Sequence, residues 1–119
     1  MNELPDIRIS ISKPDLFEAF KMQLKKDFDN CGVSSDFMEK MIPEFDFILN
    51  LLSEEIVRII KNTNDKLTEL LYRIDISELQ IKKLSKLNPD EAFHQIVAEL
   101  MIERELQKVV IKQFYKSNE

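Results

Sequence analysis

The chain has 119 residues, of which 44% are hydrophobic and 33% charged, and its formal net charge is −5. These values indicate one soluble folded domain. Its single cysteine excludes an intramolecular disulfide and a Cys-x-x-Cys metal or redox pair, and its single glycine excludes the P-loop and dinucleotide-binding patterns. The acidic balance disfavours phosphate binding, so we expect neither nucleic acid nor a membrane as a partner.

The lysines are scattered along the chain, and the tightest groups are Lys21 with Lys25 and Lys26, and Lys82 with Lys83 and Lys86. We interpret both groups as solvated helix faces, and a binding patch is the alternative. The amino terminus has no basic region followed by an apolar core, and all apolar runs are short. We therefore expect no signal peptide, no membrane span and a cytoplasmic location.

The chain begins with a pattern that differs from the rest. Ile7, Ile9 and Ile11 alternate with polar residues, which is the period-two pattern of a half-buried strand. No other stretch has this pattern, so the predicted strand has no partner within the chain. We predict that residues 1–12 form an extended arm packed on the helices. Pairing with another copy or with a partner's sheet is the alternative.

Two helices are predicted next. The first is predicted over residues 13–31. Its start is indicated by the hydroxyl of Ser12, a proline at residue 14 and an acid at residue 15, and its end by Gly32. Ser34 or Ser35 caps a short segment over residues 35–42, and the following proline predicts a bend. We interpret Cys31 as a small buried hydrophobe.

Residues 44–74 form the longest amphipathic stretch, and we expect the fold to be organised around it. Its apolar residues recur at steps of three and four, which is typical of one helix face. A straight helix of this length would be roughly 45 Å long. We therefore expect an elongated molecule, a broken helix or a second subunit over the exposed end. Residues 61–66 contain no strong hydrophobe, and we favour a continuous helix with one polar layer over a break there.

Ser77 and Gln80 have the spacing of a capping box and predict a helix over residues 77–87. An asparagine followed by Pro89 and two acids is the strongest start signal in the chain, and it predicts a last helix over residues 89–115. The predicted fold is all-α: a four- to five-helix antiparallel bundle with an extended N-terminal arm, in a single domain over residues 1–119.

The last helix has more apolar width than one buried stripe requires, because residues 100–102 and 109–111 are apolar runs. Such width indicates burial on more than one side, and we expect a homo-oligomer, with a dimer favoured. The predicted interface comprises Ile7, Ile9, Ile11, Met101, Ile102, Val109, Ile111 and Tyr115.

Glu103 and Arg104 interrupt this apolar surface. We interpret them as a solvent-facing gap, and an ion pair with Arg73 or Asp75 is the alternative.

No residue pattern predicts catalysis. Glu91 and His94 have the E-x-x-H spacing of helical di-iron ligands, but that site needs a second such pair and His94 is the only histidine. One histidine with one cysteine also makes nucleophilic catalysis improbable. The phenylalanines of the first half are numerous enough to line a pocket, although helical spacing favours a core. We expect a protein that is not an enzyme and has no metal or cofactor.

The segments LLYRIDISELQIKKL at 70–84 and AELMIERELQKVVIKQFYK at 98–116 resemble parts of small uncharacterised helical bacterial proteins. The resemblance covers less than half of the chain and contains no chemical motif, so it implies a bacterial source and no functional residue.

The leading functional hypothesis is therefore a protein-interaction or oligomerisation module with an unknown protein partner. A small-molecule or lipid-binding bundle is the second hypothesis. The third is an acidic accessory protein that neutralises a basic partner, in the manner of an antitoxin or immunity protein.

Overall fold

The structure is a computed structural model that describes the backbone of residues 7–62 and 64–117 and the side chains of residues 7–62 and 65–113. This part of the chain contains no strand, which confirms the predicted all-α class. Its helices are α1 (Ile7–Ser12), α2 (Pro14–Asn30), a 3₁₀ helix (Asp36–Lys40), α3 (Phe45–Asn62), α4 (Asn64–Ile74), α5 (Glu78–Leu87) and α6 (Phe93–Ser117). Among the described helices, none combines the length and the apolar character that crossing a bilayer requires.

Helix α6 is the central element, because it packs against each of the other five α-helices. Its apolar width is used inside the chain, where α2 and α3 make its most extensive contacts. Burial of Met101, Ile102 and Val109 within the chain therefore needs no second subunit, and the expected homo-oligomer stays a prediction. The fold is organised around α6 and not, as expected from the sequence, around residues 44–74.

The predicted long helix is described as α3 and α4 on the two sides of Thr63. Ile59 on α3 and Leu67 on α4 are both buried, so both helices contribute their apolar face to the core. Thr63 itself lies outside the described residues. The prediction of a continuous helix rather than a break is therefore not tested. The radius of gyration of 14.0 Å is that of a compact domain.

The extended arm predicted over residues 1–12 is wrong for residues 7–12, which form α1; residues 1–6 lie outside the described part. Ile7 and Ile11 are four residues apart, so a helix places them on one face as readily as a strand does. Ile11 is fully buried, whereas Ile9 is 60% exposed. A helix also forms backbone hydrogen bonds within itself, whereas a strand would need a partner strand, and the described residues contain none.

Helix α2 begins at Pro14, and its N-cap is Lys13 without a side-chain hydrogen bond. The predicted cap, Ser12, instead ends α1, where its hydroxyl donates to the carbonyl of Ile9 at 2.6 Å. The predicted end is confirmed, because Gly32 has a φ of 70° and closes the helix with a left-handed turn. The segment predicted over residues 35–42 is a 3₁₀ helix that ends at Lys40.

The capping box of α5 is confirmed: the Gln80 N–H donates to the Ser77 hydroxyl and the Ser77 N–H donates to the Gln80 side chain. The predicted start of the last helix at residue 89 was wrong, since α6 begins at Phe93. Asn88 caps the end of α5 instead, because its backbone N–H and its side-chain amide both donate to the carbonyl of Leu84.

Candidate functional site

An apolar groove lies between α5 and the helices α3 and α4. It has a volume of about 790 Å³, and we call it the α4–α5 groove; its lining residues are Ile60, Leu67, Thr68, Leu71, Glu78, Ile81, Lys82, Ser85, Lys86 and Phe93. Both walls are helical, and the groove opens to solvent. Its surface is mainly apolar.

The groove exists because α5 stands away from α4. None of the residues of α5 is fully buried, and its principal contact is with α6. Its predicted apolar face is largely exposed, with Leu79 at 61% and Leu87 at 78%. A helix of ten residues is only marginally stable alone, so the capping box and the Asn88 cap stabilise α5 as a helix while its contacts with α6 position it.

The groove combines an apolar floor with a basic rim. Leu67 is buried, Leu71 and Ile81 are half-buried, and Phe93 remains 48% exposed. The rim on the α5 side carries Lys82 and Lys86, one turn apart. The basic group that was interpreted as a solvated helix face therefore contributes two of its three lysines to the groove.

A second feature is a buried polar cluster between α2, α4 and α6. We define this cluster as Asp27, Arg73, Glu105 and Lys108. Asp27 is 4% exposed and Glu105 is fully buried. The ammonium of Lys108 lies 3.1 Å from Asp27 Oδ2 and 3.3 Å from Glu105 Oε1, and Arg73 Nε lies 3.8 Å from Asp27 Oδ1.

The two carboxyl groups of the cluster differ in their proton affinity. Burial, followed by the hydrogen bond with Asp27 and the charge of Asp27, raises the pKa of Glu105 to about 8. Burial also raises the pKa of Asp27, but hydrogen bonds with Glu105, Lys108 and Gln23 and the charge of Lys108 together lower it below 3.8. Near neutral pH the pair therefore holds one proton, on Glu105.

The cluster joins three helices that are distant in the sequence. The Lys108 ammonium also donates to the carbonyl of Arg73 in the last turn of α4, at 3.3 Å. Beside it, Arg104 donates to Asp75 Oδ2 at 2.7 Å, so the ion pair considered as an alternative for Arg104 is observed. Glu103 is exposed. No substrate can reach the carboxyl group of Glu105 in this conformation, and the geometry indicates a structural role.

The predicted interface residues separate into two groups. Ile11, Met101, Ile102 and Val109 are buried in the chain's own fold, at 4% exposure or less, and are not available to a second subunit. Ile7 is half-buried, whereas Ile9 and Ile111 are exposed. The side chain of Tyr115 lies outside the described part. The four buried residues therefore do not form an exposed surface, and an interface through Ile7, Ile9 and Ile111 stays a prediction.

The Phe-rich first half forms core and not a pocket. Phe17, Phe20, Phe28, Phe37 and Phe45 are all buried, and the rings of Phe28 and Phe37 pack with their centroids 5.4 Å apart. The sixth phenylalanine of this half, Phe47, is 36% exposed. In the residues that the structure describes, no three His, Cys, Asp or Glu side chains are grouped closely enough to hold a metal ion.

Sequence reasoning missed the groove and the polar cluster. Glu105 lies four residues after Met101 and four before Val109, in phase with the buried face of α6. Asp27 lies three residues after Leu24 and four before Cys31, in phase with the buried face of α2. A charged residue in phase with an apolar face was the signal available for the cluster. No such signal exists for the groove, because it depends on where α5 lies.

Comparison with protein-family models, curated proteins and solved structures finds no match to this chain. The resemblance of residues 70–84 and 98–116 to small bacterial helical proteins is thus not tested by a family assignment.

Proposed function

We propose that this protein is a non-enzymatic interaction module that binds a polypeptide partner in the α4–α5 groove. The observation that carries the proposal is the groove itself, in which Ile60 and Phe93 stay 36% and 48% exposed beside half-buried Leu71 and Ile81. Contiguous apolar surface of this kind is typical of an interaction site.

A polypeptide fits this groove better than a small molecule does. Small-ligand sites enclose most of the ligand surface, whereas this groove opens to solvent between two helices. Two helical walls with apolar residues at helical spacing are the surface on which a helix docks. The proposal also includes a cytoplasmic location, with which a fold that needs no disulfide is compatible.

Site-specific photo-crosslinking in cells that make the protein tests the proposal. A photoreactive amino acid replaces Thr68 or Ser85, which line the groove, or Asn50, which is exposed on α3. We expect cross-linked polypeptide from the two groove positions and not from Asn50. No polypeptide at the groove positions, or equal products at all three, would overturn the proposal. A product of twice the chain's mass identifies the partner as a second copy, and light scattering then gives the oligomeric state.

Matched variants test whether cross-linking depends on the groove itself or on exposed apolar surface in general. Ile60→Gln with Phe93→Gln removes two exposed apolar side chains of the groove, and the cross-linked product should be lost. Ile42→Gln with Ile111→Gln removes side chains that are similarly exposed, at 43% and 47%, but lie outside the groove. This control should keep the product. Circular dichroism confirms that both variants are folded.

A further inference from the structure

We infer that the segment bound in the α4–α5 groove is an acidic amphipathic helix, whose apolar side chains lie against Leu71 and Ile81 while its carboxylates lie beside Lys82 and Lys86. This inference rests on the proposed function and adds the chemistry of the partner.

The shape of the groove matches a helix. The α5 residues that line it are Glu78, Ile81, Lys82, Ser85 and Lys86, which follow each other at steps of three, one, three and one. This spacing defines one helix face, about 12 Å long at 1.5 Å per residue. A partner helix would therefore be in contact over roughly two turns, with apolar anchors at spacings of three and four residues.

The charge of the groove rim determines which residues of the partner helix can flank its apolar anchors. Lys82 and Lys86 are exposed, and within the described residues neither ammonium takes part in an ion pair. Glu78 is the one acid in the groove lining; it lies one turn before Lys82 and two turns before Lys86 on α5. A partner helix with Asp or Glu beside its apolar face would pair with both lysines. A basic helix would place like charges together at the rim.

The same charges argue against a second copy docking through its own α5. The groove side of that helix carries Lys82 and Lys86 with one acid, Glu78, so two copies facing each other would bring four ammonium groups and two carboxylates into one interface. Like charges in such an interface disfavour association. The observations favour a different, acidic helix.

Three synthetic peptides of about 18 residues test the inference directly. They carry the same Leu residues at helical spacing, and the remaining positions are Glu, Gln or Lys. Fluorescence anisotropy measures their affinity for the full chain at low and high salt. We expect the Glu peptide to bind at least about tenfold more tightly than the Lys peptide at low salt, and this preference should shrink as salt is added.

A charge-reversal variant locates the effect. Lys82→Glu with Lys86→Glu should invert the preference, so that the Lys peptide binds more tightly than the Glu peptide. Lys40→Glu with Lys83→Glu changes the net charge equally but lies outside the groove lining, and it should keep the preference for the Glu peptide.

Three outcomes would overturn the inference: equal affinity for all three peptides, preference for the Lys peptide, or the same shift in the control variant. The photo-crosslinking result decides the proposed function separately. If a polypeptide is cross-linked in the groove but the protein does not prefer the Glu peptide, the acidic helix is rejected and the interaction module is retained. No cross-linked polypeptide rejects the module itself. A cross-linked second copy contradicts the acidic helix and keeps the module.

Discussion

The ammonium of Lys108 on α6 lies 3.1 Å from the buried carboxylate of Asp27 on α2, across 81 residues of chain. The Lys108 side chain is 23% exposed and that of Asp27 only 5%. Each group would be costly to bury alone, and together with Glu105 and Arg73 they form a polar centre within an apolar fold. This contact makes the packing of α2 on α6 sensitive to single substitutions and to pH.

Replacing Glu105 with Gln should change the pH dependence of stability. The pKa of Glu105 rises from 4.5 to about 8 on folding, so the folded state holds the additional proton between these values. Stability from this group is complete below pH 4.5 and is lost as pH rises toward 8, by up to about 1.4 kcal/mol per pH unit. Glu105→Gln keeps an N–H donor for Asp27 without titrating, so its stability should be flatter across this window and higher than the wild type above it.

Urea unfolding at pH values below, within and above that window measures the effect. Asp27 does not obscure it, because its pKa is lowered below 3.8 and its stabilisation is lost only as pH falls below that value. Equal slopes for the wild type and Glu105→Gln between pH 4.5 and about 8 would contradict the assignment of the proton to Glu105.

Lys108→Met should destabilise the fold by about 3 kcal/mol, because it leaves the Asp27 carboxylate buried with a weaker cation partner. Asp27→Asn in the Lys108→Met background should recover part of this loss, and the double-mutant cycle gives the coupling between the two. The control is Lys25→Met, which removes an ion pair with Asp29 on the exposed side of α2. Its unfolding midpoint should stay close to that of the wild type.

Asp75 is the described non-glycine residue with a left-handed backbone, at a φ of 76°. The N–H of Ile76 donates to the carbonyl of Leu71 and the N–H of Asp75 to that of Tyr72, which is the Schellman arrangement that ends α4. Asp75→Ala should cost about 1 kcal/mol, since Ala tolerates this conformation poorly. Asp75→Gly relieves the strain and loses only the exposed ion pair with Arg104, so thermal unfolding should show it to be more stable than Asp75→Ala.

Ser53→Ala should stabilise the protein by about 1 kcal/mol, because the Ser53 hydroxyl is buried in α3 without a hydrogen-bond partner in the described structure. Asn50→Ala, on the exposed side of the same helix, measures the gain that comes from helix propensity alone. If chemical denaturation shows equal gains for the two variants, burial of the Ser53 hydroxyl has no cost of its own.

Local signals predicted the elements whose ends are determined by neighbouring residues. The capping box at Ser77 and the left-handed turn at Gly32 depend on side chains and backbone within a few positions, and both were predicted correctly. The signals failed where one residue had two possible partners. Asn88 could cap the helix before it or the one after it, and its hydrogen bonds to Leu84 decide for the former.

Tertiary packing decided the remaining features. The isoleucines of α1 fit both a strand and a helix, and the surfaces of α2, α3 and α6 on which α1 packs select the helix. The apolar width of α6 was recognised from the sequence, but not that the chain itself covers it. The α4–α5 groove was beyond prediction because it depends on the position of α5, whose outward-facing Leu79 and Leu87 appear in the sequence as core residues.

The central position of α6 has a consequence for synthesis of the chain. Ribosomes make α1 to α5 before α6, so the apolar faces of all five helices emerge before the helix that covers them. The 25 residues of α6 take about 1 to 5 s to translate at typical rates. During this interval the nascent chain cannot complete its core, so the apolar faces that α6 covers stay exposed to solvent. Folding must therefore finish after translation has passed Phe93.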